Sequence, residues 1–325
     1  MTACPQLRDD DFRKAEPQRP SNREPPVDAG GHVDTDTTPP RVVASTPAAD
    51  ARGVLPNAPI ELTFSEAMDT AATELAYASS DIPPDGVTFA WTRENTVLVI
   101  QPNTALSHAS GSAPATAHQV ALSGARDAAG NALAPFELTF YTARDVTQSF
   151  ESVKNRDLTG NWRSNGSYGI ELCERVDTTV CAGDSLDTDE PTYRGFMTFD
   201  LGALPADRVA IESAELSLTV SLIAGTPFTG LGVLQLEPLS FEAIGDDAFD
   251  QTGDAEPAEL AALAIQGQVL RSDVTASARA AADAGKYCQF RLRFERDTDP
   301  LDTVTVDLIT SDWTTQRLAV TYWMP

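Results

Sequence analysis

The chain has 325 residues, 48 acidic against 23 basic, for a formal net charge of −25, and 42% of it is apolar. A surface that negative repels nucleic acid and anionic lipid headgroups and argues against both as partners. The length suits two domains and a tail rather than one small sandwich, and without a run of about 18 apolar residues no segment reads as a membrane-spanning helix.

Residues 5–38 are poor in apolar side chains and rich in Pro, Asp, Arg and Gly. Such a stretch buries too little surface to offset its ordering entropy. It reads as a disordered tether, ~30–36 Å from end to end as a random coil. From residue 39 the pattern changes. Ile60, Leu62 and Phe64 alternate with polar neighbours, as do Val87, Phe89 and Trp91, and again Phe136, Leu138 and Phe140. Turn signals fall between these runs, Pro83-Pro84-Asp85-Gly86 and Ala129-Gly130-Asn131 among them. Short strands at that spacing predict a β-sandwich over residues 39–144. Asp127 and Asn131 fit turn chemistry there.

Residues 145–325 predict a second, larger sandwich. A short strand near Tyr193 leads into a turn closed by Leu204-Pro205. One long strand follows, with Ala214, Leu216, Leu218, Val220 and Leu222 on one face and Glu215, Ser217, Thr219 and Ser221 on the other. A period of two over that length means one buried face and one wet face, the mark of an antiparallel sheet. Cys288, Phe290, Leu292 and Phe294 repeat the alternation, as do Val304, Val306 and Leu308, then Leu318, Val320 and Tyr322. One helix is expected from Thr275 to Ala284, capped by Ser272-Asp273 and stopped by Gly285. A second short helix is expected to start at Pro257.

Three stretches carry family resemblances. Met1-Thr2-Ala3-Cys4 resembles the Leu-Thr-Ala-Cys end of a bacterial lipoprotein signal, which implies a lipidated Cys4; the other reading is an ordinary thiol. PPRVVASTPAADARGVLPNAPIELTFSEAMD, LVIQPNTALS, VALSGARDAAGNAL and FELTFYT resemble the SbsA-type bacterial Ig-like domain, which implies a spacer or stalk. RGFMTFDLGALP, DVTASARAAADAG and RLAVTY resemble the DNRLRE-type jelly roll of secreted bacterial proteins, some of them carbohydrate-binding. Members of that family carry a Trp-containing motif after the central strands, where this chain reads FEAIGDDAFDQTGD. The fold class expected is therefore all-β: an Ig-like sandwich at 39–144 and a jelly-roll sandwich at 145–325 with one or two short helices, behind a tether at 1–38.

The candidate sites follow from residue chemistry. Cys288 lies on the apolar side of its strand and reads as a buried free thiol. Cys173 and Cys181 flank a polar loop and would close it as a staple, the rival being a bond from either one to Cys288. Zinc is disfavoured, with no CxxC spacing or neighbouring His. Gly183-Asp184-Ser185-Leu186 spells a hydrolase nucleophile motif, but His32, His108 and His118 all lie upstream and none supplies a downstream base, so Ser185 reads as a coincidence. No cofactor is implied. Calcium is considered at Asp184, Asp187 and Asp189, hard oxygen donors in one loop. For a sugar, the expected platform is Trp162, Tyr168, Tyr193 and Trp313, aromatics in polar segments; Trp91 and Tyr322 fit core positions. On this reading Trp162→Ala and Trp313→Ala would each abolish retention on polysaccharide gels.

Together these features predict a non-catalytic bacterial surface or extracellular protein. It would bind a glycan or surface polymer through the C-terminal sandwich and touch a membrane only through a lipid anchor. The alternative is a structural subunit or decoration of an envelope layer or fibre, self-associating through its edge strands, and a partner-specific adhesion role is a third.

Overall fold

A computed structural model describes residues 36–167, 173, 179–184, 191–297 and 306–325. Cys4, Tyr168, Ser185, Asp187 and Asp189 lie outside the described residues, as does nearly all of the expected tether. Every element below belongs to the unit spanning Thr38–Pro325.

The protein is all-β with a few short helices. The first sandwich contains β1 (Val42–Thr46), β2 (Ile60–Phe64), α1 (Thr70–Leu75), β3 (Tyr77–Ala78), β4 (Val87–Thr92), β5 (Val97–Pro102), β6 (Ala117–Leu122) and β7 (Phe136–Tyr141). Its antiparallel sheets run β1-β2-β5-β4 and β3-β6-β7. The alternating residues supply the core: Ile60, Leu62, Leu98, Ile100 and Phe140 are fully buried between the sheets. Trp91 packs against this core and donates its Nε1–H to Glu74 at 2.9 Å. Asp127 accepts from the backbone and side-chain nitrogens of Asn131, both at 2.8 Å, which makes that pair the turn it was expected to be.

The second sandwich contains β8 (Arg144–Glu151), β9 (Gly160–Arg163), β10 (Val180–Gly183), β11 (Tyr193–Phe199), β12 (Ala210–Thr219), β13 (Leu222–Ala224), α2 (Pro227–Gly230), β14 (Leu234–Pro238), α3 (Asp246–Asp250), β15 (Ala258–Ala261), β16 (Val269–Asp273), α4 (Thr275–Ala284), β17 (Cys288–Phe294), β18 (Leu308–Ser311) and β19 (Arg317–Met324). The larger sheet runs β13-β18-β10-β11-β17-β14-β15 with β9 also on β11, and the smaller runs β16-β12-β19-β8. Between them lie Phe199, Leu216, Leu218, Phe290, Leu292, Leu318 and Val320.

Three expectations are corrected. The long strand does not continue to Leu222. Val220 donates its N–H to Gln268 at 2.9 Å, beside the smaller sheet, and Ser221 donates to Thr310 at 2.8 Å in the larger one. The chain thus changes sheet between adjacent residues, a corner that uninterrupted alternation conceals. No helix begins at Pro257: Ala258–Ala261 pairs with β14 as the edge strand β15, and a proline just ahead of an edge strand removes no ladder bond. Finally, β17 has no wet face, since all its residues but Arg293 are buried.

Helix α4 follows its expected bounds. Asp273 Oδ1 accepts from the N–H and Oγ1 of Thr275 at 2.9 and 2.6 Å, and these bonds hold its carboxyl below the usual range. At the other end Gly285 is left-handed at φ 61°, and Lys286 and Gly285 donate back to Ala281 and Ala282. That is a Schellman stop.

Candidate binding cleft

The covered face of β17 explains how the site is built. Gln289, Arg291 and Arg293 alternate with the core residues of β17, and residues 240–254 fold over Gln289 and Arg291. Arg291 is 3% exposed and Glu237, its register partner on β14, 6%. Arg291 Nε and Nη2 donate to Glu237 Oε2 at 2.8 and 2.6 Å. Its Nη1 donates to the carbonyls of Ala248, Phe249 and Gln251 at 3.1, 2.8 and 2.8 Å, which ties α3 and its exit to the sheet. Burial pulls the Arg291 guanidinium below its usual range and Glu237 opposes the shift. Arg194 adds a second clamp, stacked 4.2 Å from the Phe249 ring centre with Nη1 donating to the Phe249 carbonyl at 2.5 Å. Gln289 donates Nε2–H to Thr198 Oγ1 and accepts from the Phe241 N–H, both at 3.2 Å. Gly253 closes the segment where a Cβ would lie 2.5 Å from Glu237 Oε1, so only glycine fits without displacing the buried carboxylate.

Beside this pinned segment opens a cleft of about 1120 Å³, bounded by the 200–208 turn, residues 240–251 and the C-terminal end of α4. That is slightly above the ~300–1,000 Å³ usual for small-molecule sites. Asp200, Glu242 and Asp247 offer carboxylates and Gln251 an amide, Phe241 and Tyr287 offer ring faces, and the buried Gln289 forms part of the wall. Tyr287 is 42% exposed, and the Schellman stop sets it and exposed Lys286 at the rim. Arg208 is held in place, donating to the carbonyls of Pro205 at 2.9 Å and Ala282 at 3.5 Å. Rings for stacking beside several hydroxyl-seeking groups suit a hydroxylated ligand. Among the described histidines, His118 is buried in the first sandwich and His108 meets Trp323 edge to face at 4.9 Å; neither lines the cleft.

The residues singled out from sequence lie elsewhere. Trp162 on β9 is half-buried, packs with Phe196 and Ile244, and donates Nε1–H to Asp246 at 2.8 Å. Tyr193 is 3% exposed and packs with Cys173, Cys181 and Leu308. Trp313 follows β18, half-buried under Lys154 at 4.7 Å from its ring centre. Trp162 and Tyr193 thus share the β9–β11 pair, and Trp313 is not brought to it. Asp184 is 6% exposed, with Oδ1 accepting from the Asp307 N–H at 3.2 Å. Tyr287 is not among the aromatics singled out from sequence. The signal that could have found it is its place two residues after a helix-stopping glycine.

Cys173 and Cys181 form a disulfide with Cα atoms 5.9 Å apart, which leaves Cys288 free. Burial pushes the Cys288 thiol up to about 12, so it stays protonated. Reduction of the bridge is expected to cost about 2–3 kcal/mol, the chain-entropy value for so short a loop. Denaturant unfolding of the Cys173→Ser/Cys181→Ser variant checks this, and unchanged stability would contradict it.

No curated protein matches the chain. Among solved structures it is similar to PcoC, a methionine-rich copper resistance protein from Escherichia coli, at 20% identity over 32% of this chain and 99% of that one, TM-score 0.25. It is also similar to an L,D-transpeptidase from Mycobacterium smegmatis, at 13% over 50% and 76%, TM-score 0.26. The N-terminal part of the bacterial S-layer protein SbsC aligns at 11% over 50% and 40%, TM-score 0.25. None of these scores supports transfer of a function. Residues 36–142, the stretch that holds β1 to β7, match the family model of the bacterial Ig-like domain.

Proposed function

We propose that this chain is a non-catalytic binding protein of the bacterial cell surface, recognising a glycan or similar surface polymer through the cleft beside Tyr287. The observation that carries this reading is an exposed ring on a rigid rim beside carboxylates and an amide. The resemblance of the larger sandwich to DNRLRE-type jelly rolls supports it. So does the Ig-like domain, which would serve as the spacer, and the disulfide suits an oxidising compartment. Affinity electrophoresis of the full chain through uncharged polysaccharides tests the reading. Wild type should be retarded, Tyr287→Ala should migrate freely, and Trp162→Ala and Trp313→Ala should stay retarded. Retardation of Tyr287→Ala, or its loss in either tryptophan variant, would move the site.

A structural role in an envelope layer is favoured by one observation, the junction between the sandwiches. Asp145 exchanges backbone hydrogen bonds with Ala109 and Gly111 at 3.1 and 2.7 Å and accepts from Ser110 Oγ at 2.5 Å, which ties the start of β8 to the first sandwich. Concentration-dependent self-association on size exclusion would favour that role, and a monomer at every concentration would count against it.

A further inference from the structure

The cleft does not stop at Tyr287. A second cleft of about 370 Å³ lies beside it, reaching Asp254 and the exposed face of α4 at Ala276 and Ala280. The two share Ser240, Ala281, Lys286, Tyr287 and Gln289. The tyrosine is therefore the common wall of both spaces rather than the end of either. Its position is fixed from both sides, by the left-handed Gly285 before it and by β17 after it. The shared wall Ser240 is fixed as well, donating Oγ–H to Asp254 Oδ2 at 2.7 Å and accepting at its carbonyl from Gln251 Nε2 at 3.0 Å.

Resting on the binding reading above, we infer that the ligand is a linear, uncharged, hydroxyl-rich oligosaccharide that runs through both clefts and crosses Tyr287. Length comes from adjacency: the first space is about as large as a compact ligand needs, and the second extends it along α4. Charge comes from the lining, where Asp200, Glu242, Asp247 and Asp254 outnumber Arg208 and Lys286 on a chain of net charge −25. Uronic or sulfated polymers would meet like charge, whereas the hydroxyls of a neutral sugar can donate charge-assisted hydrogen bonds to these carboxylates.

Titration calorimetry of the full chain against gluco- and chito-oligosaccharides, from dimer to hexamer, tests this, with Ala280→Trp as the diagnostic variant. Ala280 is exposed on α4 and lines only the second cleft, so the substitution narrows that space without entering the core. Hexamer is expected to bind at least tenfold more tightly than dimer, and Ala280→Trp to remove that gain while dimer affinity and melting temperature hold. Equal affinity for all lengths, or a uniform loss in the variant, would overturn the two-cleft path but leave the Tyr287 site standing. Absence of binding by every oligomer of both series would overturn the binding reading and this inference with it.

Discussion

Glu237→Ala is expected to destabilise the larger sandwich by about 3–5 kcal/mol, the usual cost of removing one partner of a buried ion pair. Arg291 would be left with its charge 3% exposed and its Nε and Nη2 donors unmatched. Arg293, whose Nε lies 3.2 Å from the same carboxylate oxygen, would lose its partner too. Pairing the change with Arg291→Met removes the stranded charge and should recover part of the loss. Recovery should not be complete, because the carbonyls of Ala248 and Gln251 would lose their donor, at about 1–3 kcal/mol for each one that stays buried, while the Phe249 carbonyl keeps Arg194. Denaturant melts of the two single variants and the double variant measure the coupling. A loss below about 1 kcal/mol for Glu237→Ala would mean that water reaches Arg291 and that the 240–254 segment is not clamped.

Phe290→Ala should cost a similar amount, about 3–5 kcal/mol, by opening a cavity at the centre of the larger sheet. Phe290 is fully buried between β11 and β14, edge-on to Phe199 at 6.4 Å. Its cluster shares no residue with the core around Leu62 and Phe140. Calorimetry should therefore show one transition displaced by about 10 °C while another holds its temperature. Leu62→Ala should displace the other one. A single transition that moves with either variant would show that the two cores melt as one cooperative unit.

The strands that build those cores were legible because a period of two survives any tertiary arrangement. Ile60, Leu62 and Phe64 sit where the pattern puts them, and so do Phe290, Leu292 and Phe294. What lay across those strands was not legible. Arg291 and Gln289 look like a wet face, and the segment that covers them is remote in sequence, with Ala248 lying 43 residues before Arg291 and Phe241 48 before Gln289. The corner at Val220 was hidden for a related reason: a sheet change that keeps the alternation intact leaves no mark on it. Aromatic residues in polar segments were a poor guide to exposure. Trp162 is tied to the start of α3 by Asp246, and Trp313 lies under Lys154. Cys173 and Cys181 were the opposite case: the staple expected around a short polar loop is the bridge that forms, rather than the rival bond to Cys288.

The most direct test of the cleft is backbone hydrogen–deuterium exchange of the full chain, with and without an uncharged polysaccharide that retards it in gels. Binding across Tyr287 requires new protection in residues 240–251 and at Lys286, Tyr287 and Gln289, with exchange near Trp162 and Trp313 unchanged. Protection confined to those tryptophan segments, or none in the cleft walls at saturating polysaccharide, would contradict it.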